Sequence, residues 1–218
     1  MDILPPSEAN HEIVPVVRRT SIHASEGHYL FFETPFGHAG LAYRELVVRV
    51  LLPAPTLQAL RAEMASFSIQ LPGHHPTFVT DLVQRIQAYL QSDPAGLPLE
   101  SLDLTQCSPF QRQVLLTEHT IPFGQVRTCS WVASQLGKPR AARAVGNALA
   151  RNPFPLVIPC HRCIRSDGAI GGFQRPGLKE KLFQMEGHTF VDTPTGKRLV
   201  TSGRDAIKQA PVVLLARP

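Results

Sequence analysis

The sequence lacks any long apolar run, which excludes a membrane-spanning helix. The longest candidates, residues 46–52 and 212–216, fall well short of the roughly 18 apolar residues that cross a bilayer. No lysine or arginine precedes Arg18 and no apolar block follows the start, so the N-terminus does not resemble a signal peptide. We therefore expect a protein of the cytoplasm, or of the nucleus if the source is eukaryotic, with no membrane partner.

Cysteine is scarce as well: the chain has four, all in its second half, too few for a disulfide scaffold. Cys160 and Cys163 have the C-x-x-C spacing of redox and zinc sites, but no second C-x-x-C or H-x-x-x-H supplies further ligands. Residues 164–172 predict a turn, whereas a thioredoxin-like motif needs a helix there. We expect no metal and no cofactor, and dithiol or metal chemistry at this pair stays the minor alternative.

Basic charge is almost missing from the first half of the chain. Residues 1–100 hold 6 basic and 10 acidic residues, and residues 101–218 hold 16 and 7. An anionic partner such as nucleic acid would therefore bind the second half, although a basic surface kept for solubility explains the charge equally well. Hydrophobic residues make up 43% of the chain and charged residues 18%, so it can bury a packed core.

The first half predicts a small α/β domain. Between residues 29 and 53, apolar blocks alternate with Pro-Phe-Gly and Arg-Glu breaks, which indicates two or three antiparallel strands. Apolar residues at helical spacing then predict helices over 56–66 and 78–90. We assign residues 1–25 to a loose leader, 26–95 to the α/β domain and 92–100 to a linker rich in proline and glycine.

The second half, residues 101–190, predicts a mainly α-helical domain. Ser108 is a good N-cap and Pro109 suits the first turn of a helix over 109–119. A short helix over 130–136, a Gly-Lys-Pro turn and a helix over 140–150 have the order of a helix-turn-helix, although antiparallel helix pairs are also common in cores. Residues 191–218 form an extension of unknown role.

The helix over 140–150 combines arginines with small side chains. Arg140 and Arg143 stand among alanines and glycine in the stretch RAARAVGNALA. Small residues allow close approach, usually to a neighbouring helix, but together with arginines they make a DNA groove a plausible partner.

A candidate nucleophile follows in the segment NPFPLVIPCHR. We expect the apolar run to form a strand that ends at Pro159 and delivers Cys160 next to His161 and Arg162. The thiolate is the reactive form of cysteine, and adjacent positive charge lowers the pKa that controls it. The competing interpretation is a buried cysteine that acts as a small hydrophobe. His161 and Arg162 need polar partners, which favours an activated thiol.

The stretch from Ser108 to Gly187 closely resembles the O6-alkylguanine-DNA alkyltransferases, also called methylated-DNA–protein-cysteine methyltransferases. The landmarks that carry the resemblance stand in family order and spacing: IPFGQV, AARAVGNALARNP, IPCHR, SDGAIGGF and MEG. The first half is compatible with the family's N-terminal α/β domain, but that match is weaker.

The resemblance implies a catalytic role for four residues. Cys160 corresponds to the alkyl acceptor, His161 to the residue that withdraws its proton through a water, and Glu186 to the carboxylate that orients the imidazole. This relay has the logic of a hydrolase triad. Asn152 corresponds to the asparagine that braces the recognition helix.

The resemblance also implies how DNA is bound. Arg143 corresponds to the finger that fills the space left by the flipped nucleotide, an extrusion that costs a few kcal/mol of stacking. Binding is expected through the minor groove, at a helix surface made of Ala141, Ala142, Ala144, Arg140 and Gly146. The substrate pocket is expected to contain Cys129, Pro159, Cys163 and Phe173.

Three pocket positions depart from the family pattern. Cys129 stands where the family usually has a tyrosine whose hydroxyl helps protonate the leaving guanine, and a thiol is a weaker donor. Cys163 replaces a common valine, where the family uses the backbone carbonyl. Phe173 replaces a frequent tyrosine and keeps an aromatic wall.

Three function hypotheses follow. The first is a single-turnover DNA-repair transferase that acts as a monomer on double-stranded DNA carrying O6-alkylguanine, with O4-alkylthymine as an open alternative. The second is a non-enzymatic alkyltransferase-like protein that binds the lesion and flags it. The third is a transcription factor, which would not need the Pro-Cys-His-Arg segment. Cys160 and His161 favour the first.

Overall fold

Three antiparallel strands begin the computed structural model, which describes residues 27–63, 74–94, 96–194 and 196–200; the expected leader lies outside them. The strands β1 (His28–Thr34), β2 (Gly37–Tyr43) and β3 (Val47–Ala54) are hydrogen-bonded in that order. Gly37 makes the first turn possible, because its φ is 108° and a Cβ there would lie 2.2 Å from the Ala54 carbonyl oxygen.

Both faces of this sheet are covered, which explains why its strands are apolar along their whole length. Tyr29 and Phe31 pack with Leu60 of helix α1 (Leu57–Glu63) on one face. The opposite face packs against helix α2 (Thr77–Leu90) and the second half of the chain. The expected helices are therefore present, although the predicted end of α1 lies outside the described residues.

Four helices form most of the second half: α3 (Pro109–His119), α4 (Cys129–Gln135), α5 (Ala142–Ala150) and α6 (Leu178–Met185). As predicted, Ser108 caps α3, and its hydroxyl accepts from the Gln111 amide at 3.3 Å. Helix α5 begins later than expected, because the proline-led segment Pro139–Ala141 forms a 3-10 turn first. None of the described helices is both long and apolar enough to cross a membrane.

Strand β3 connects the two halves through its backbone. The Val47 amide donates to the Ser101 carbonyl at 2.7 Å, and the Val50 amide donates to the Pro153 carbonyl at 2.8 Å. The largest buried cluster accordingly includes Leu41 from the sheet and Leu182 from α6. This shared core places the C-terminal end of α2 beside the loop that leads to Cys160.

Two short strand pairs complete the fold. β4 (Arg127–Thr128) pairs in parallel with β5 (Cys163–Ile164). β6 (Phe190–Thr193) and β7 (Gly196–Leu199) form a hairpin, so the first part of the C-terminal extension is structured. The hairpin packs Leu199 into a small apolar cluster beside the cavity described below.

The expected strand before Cys160 is absent from the described structure. Residues 153–159 form a loop with a single bridge between Pro155 and Ile158, and Cys160–Arg162 is a 3-10 turn. Proline has no amide hydrogen for a strand ladder, so Pro153, Pro155 and Pro159 prevent continuous pairing.

Candidate active site

Asn152 holds the loop that carries Cys160. Its side-chain amide donates to the Ile158 carbonyl at 2.9 Å, and its side-chain oxygen accepts from the Phe154 amide at 2.9 Å. Asn152 also hydrogen-bonds to the Cys160 thiol. Because Asn152 follows directly on α5, it connects the end of that helix to the cysteine.

Glu186, at the end of α6, lies at the centre of a buried hydrogen-bond network. Its carboxylate accepts from His161 Nε2 at 2.9 Å, from Arg162 Nη2 at 2.8 Å and from Tyr89 Oη at 2.7 Å. The Gly124 amide donates to the second carboxylate oxygen at 3.1 Å. Burial would raise the pKa of Glu186, but the hydrogen bonds from His161 and Arg162 outweigh it and lower the pKa to about 2.

This network determines which nitrogen of His161 is basic. Burial lowers the pKa of His161 and outweighs the hydrogen bond to Glu186, so the imidazole is neutral near pH 7. The carboxylate holds the ring hydrogen on Nε2, which leaves Nδ1 as the acceptor nitrogen. Within the described residues, Nδ1 is buried and has no hydrogen-bond partner.

The Cys160 thiol is not activated by its sequence neighbours. Burial raises its pKa to about 11, and the hydrogen bond with Asn152 only partly opposes that effect. Arg162 binds Glu186 and the Ile121 carbonyl instead of the thiol. The prediction that adjacent basic residues lower this pKa is therefore wrong, because neighbours in the chain are directed to a different partner.

Cys160 lines a cavity of about 470 Å³ between α5, α6 and the loop over 165–174. Four of the predicted site residues line the same cavity with it: Cys129, Cys163, Phe173 and Gly146. Pro159 does not, because it faces a smaller neighbouring cavity of about 210 Å³ that also contains Tyr89 and Arg162. The site residues predicted from sequence are thus brought together, with Pro159 as the exception.

Helix α5 presents the predicted DNA-binding residues in two groups. Arg140, Arg143 and Ala144 are exposed, and Ala141, Ala142 and Gly146 are partly exposed. Val145 and Leu149 are buried and fix the helix on the core. Gly146 is the one of these residues that lines the cavity with Cys160, so the exposed face of α5 and the cavity meet along this helix.

Sequence reasoning missed four charged or polar residues of the site. Tyr89 comes from α2, more than 70 positions before Cys160, and no local motif marks it. Arg162 was noted only as a neighbour of Cys160, although its guanidinium is the cation that keeps Glu186 ionised.

Glu118 and Lys179 are the other two. Glu118 on α3 is fully buried, and neither carboxyl oxygen has a hydrogen-bond partner among the described residues. Burial raises its pKa to about 8, so it is protonated near neutral pH. Lys179 donates to the Cys163 carbonyl at 2.7 Å, and burial lowers its pKa.

Comparison with known proteins matches this chain to alkyltransferases. The family model described as "6-O-methylguanine DNA methyltransferase, DNA binding domain" matches residues 109–188. The methylated-DNA–protein-cysteine methyltransferase of Methanothermobacter thermautotrophicus is 45% identical over 51% of this chain and 63% of its own length, so the chain spans less than two thirds of that relative. The protein of the same name from Mycolicibacterium paratuberculosis is 34% identical over 66% of this chain and 82% of its own length.

A solved structure resembles the fold. Mycobacterium tuberculosis OGT in complex with DNA superposes with a TM-score of 0.58 and 27% identity, covering 72% of this chain and 91% of that one.

Proposed function

The chain belongs to the methylated-DNA–protein-cysteine methyltransferase family, and from its site we propose that it repairs DNA by moving an alkyl group from O6-alkylguanine to its own Cys160. The reaction is stoichiometric. Cys160 Sγ attacks the alkyl carbon, the carbon–oxygen bond to guanine breaks, and the thioether on Cys160 is permanent.

The observation that supports this proposal most directly is the hydrogen bond between His161 Nε2 and Glu186, because it leaves His161 Nδ1 as a base in the interior. A buried thiol with a raised pKa cannot attack without a partner that removes its proton. In the proposal, His161 Nδ1 takes that proton through a bridging water as the sulfur attacks. Glu186 then stabilises the imidazolium that forms.

DNA recognition is proposed for α4, the turn after it and α5, which have the order of a helix-turn-helix. Exposed Arg143 would fill the gap in the duplex once the damaged nucleotide turns out into the cavity, which has room for a base. The basic second half would supply the sequence-independent attraction to phosphates.

Intact-protein mass spectrometry after incubation with O6-methylguanine duplex tests the proposal. We expect a gain of one methylene per chain, mapped to Cys160, and no gain in Cys160→Ala. Cys107→Ser is the matched control, because Cys107 lies outside the cavity, and it should gain the methylene normally. Lesion binding without an adduct would instead support the non-enzymatic alternative.

A second experiment tests the role of Arg143. Arg143→Ala is expected to slow base extrusion, followed with a fluorescent base analogue, more than it weakens binding to undamaged duplex. Arg140→Ala is the control, since an ordinary phosphate contact affects damaged and undamaged DNA alike. If the two variants behave identically, Arg143 is a phosphate contact and not a finger.

A further inference from the structure

The two cysteines that depart from the family pattern contact each other in the structure. Cys129 follows β4 directly, and Cys163 is the first residue of β5, where Thr128 pairs with Ile164. Both side chains line the cavity of Cys160, and the two thiols are hydrogen-bonded to each other. What the sequence shows as two separate substitutions is therefore one pair of adjacent thiols.

The two thiols differ in reactivity. The hydrogen bond from Cys163 lowers the pKa of Cys129 to about 7, against the opposing effect of burial and with help from the Lys179 charge. Because one hydrogen is shared within the pair, the same contact raises the pKa of Cys163, which stays a thiol. Cys129 is also partly exposed, whereas Cys163 is buried. The pair thus combines an accessible nucleophile with a resolving thiol next to it.

We infer that Cys129 and Cys163 form a reversible disulfide when the protein meets a hydroperoxide, as a modification site separate from the alkyl acceptor. The Cys129 thiolate attacks one peroxide oxygen, the O–O bond breaks, and Cys129 becomes a sulfenic acid. Cys163 Sγ then attacks that sulfur, the S–S bond forms, and the S–O bond breaks with release of water. In total, two thiols lose two electrons and two protons, and hydrogen peroxide is reduced to two waters.

Cys160 is a poorer partner for Cys129 than Cys163 is. Its thiol is hydrogen-bonded to Asn152, and burial keeps it protonated. A disulfide between Cys129 and Cys163 would join β4 to β5, which are already paired, so little of the backbone has to move. The acceptor thiol would remain chemically intact inside the same cavity.

The test is peptide mapping of the full chain after treatment with hydrogen peroxide, with and without dithiothreitol. We expect the loss of two hydrogens, a linked peptide pair that contains Cys129 and Cys163, and full reversal by dithiothreitol. In Cys163→Val the link should disappear, and in the control Cys107→Ser it should form as in the wild type. A link between Cys129 and Cys160, oxidation of Cys160 alone, or no loss of hydrogens overturns the inference.

The effect on repair rests on the proposed function and is measured separately. Peroxide-treated protein should accept a methyl group several-fold more slowly than untreated protein and recover with dithiothreitol, because the oxidised Cys129 has no hydrogen to offer the guanine. Cys163→Val should not show this reversible loss. The mapping result stands even if the chain transfers no alkyl group, so the two proposals fail independently.

Discussion

Two buried carboxyl groups flank the candidate acceptor, and they are in opposite states. Glu186 has a pKa lowered to about 2, whereas Glu118 has a pKa raised to about 8. Burial disfavours the charge in both. The difference is that Glu186 receives hydrogen bonds from Tyr89, His161 and Arg162, and Glu118 receives none from the described residues.

The comparison shows that hydrogen-bond donors, and not depth alone, decide the charge of a buried acid. On the Glu186 side, charge is held in place and a histidine is given one defined tautomer. On the Glu118 side, neutral acid and thiols are kept close to Lys179. Cys160 lies between a charged, well-connected region and a neutral one, which suits a thiol that must lose a proton only during reaction.

Breaking the Glu186 side should produce the largest effect. Glu186→Gln leaves the buried Arg162 without its counter-charge, and loss of one partner of a buried ion pair costs about 3–5 kcal/mol of unfolding free energy. Urea unfolding measures this cost. Glu180→Gln removes a carboxylate from a partly exposed pair with Lys197 and should cost less than about 1 kcal/mol. Equal costs for the two variants would contradict the network's proposed importance.

Changing pH should reveal the Glu118 side. The folded pKa of Glu118 is raised, so its contribution to stability is complete below its ordinary pKa and is lost as the pH rises towards about 8. Glu118→Gln keeps the neutral form at every pH. We expect the variant to gain on the order of 2 kcal/mol over the wild type between pH 5 and pH 9.

Thermal unfolding across that pH range measures the gain. Glu45→Gln, at an exposed position, is the control and should track the wild type throughout. A constant difference between Glu118→Gln and the wild type would mean that Glu118 is ionised in the folded protein.

Tyr89→Phe removes one donor from Glu186 and sharpens the comparison. A hydrogen bond to a charged group contributes about 1.5–3 kcal/mol, and the unfolding free energy should fall by the lower part of that range. As Tyr89 positions Glu186, the pH profile of methyl transfer should also shift. Tyr43→Phe, which loses a hydroxyl bonded to His75 far from Glu186, should reduce stability and leave that profile unchanged.

Cys129→Tyr should have the smallest effect, on rate and not on fold. A phenol is a better donor to the departing guanine than a thiol, so methyl transfer should speed up by up to about tenfold, or about 1.4 kcal/mol of activation free energy. Single-turnover rates on methyl and benzyl lesions measure it. Slower transfer of both groups would sink the hypothesis, and selective loss of benzyl transfer would indicate a pocket widened around the smaller cysteine.

Local signals in the chain were enough for much of the fold and for the identity of the site. The cap at Ser108 and the glycine turn at Gly37 depend on residues a few positions apart, and both are present in the structure. The motif around Cys160 and the distant Glu186 were identified together because each stands in a recognisable stretch of sequence. The loop before Cys160 was mistaken for a strand, since its apolar pattern outweighed its prolines in that interpretation.

The amino-acid sequence by itself determined the elements, the family landmarks and the acceptor cysteine of this protein. Only the tertiary structure decided that Tyr89 contacts Glu186, that Cys129 contacts Cys163, and that Glu118 is buried without donors. The physical reason is that charge state and reactivity depend on burial and on hydrogen-bond partners, which come from segments far apart in the chain. Adjacency to His161 and Arg162 therefore could not reveal that the Cys160 thiol is protonated, because the packing of the whole core sets its environment.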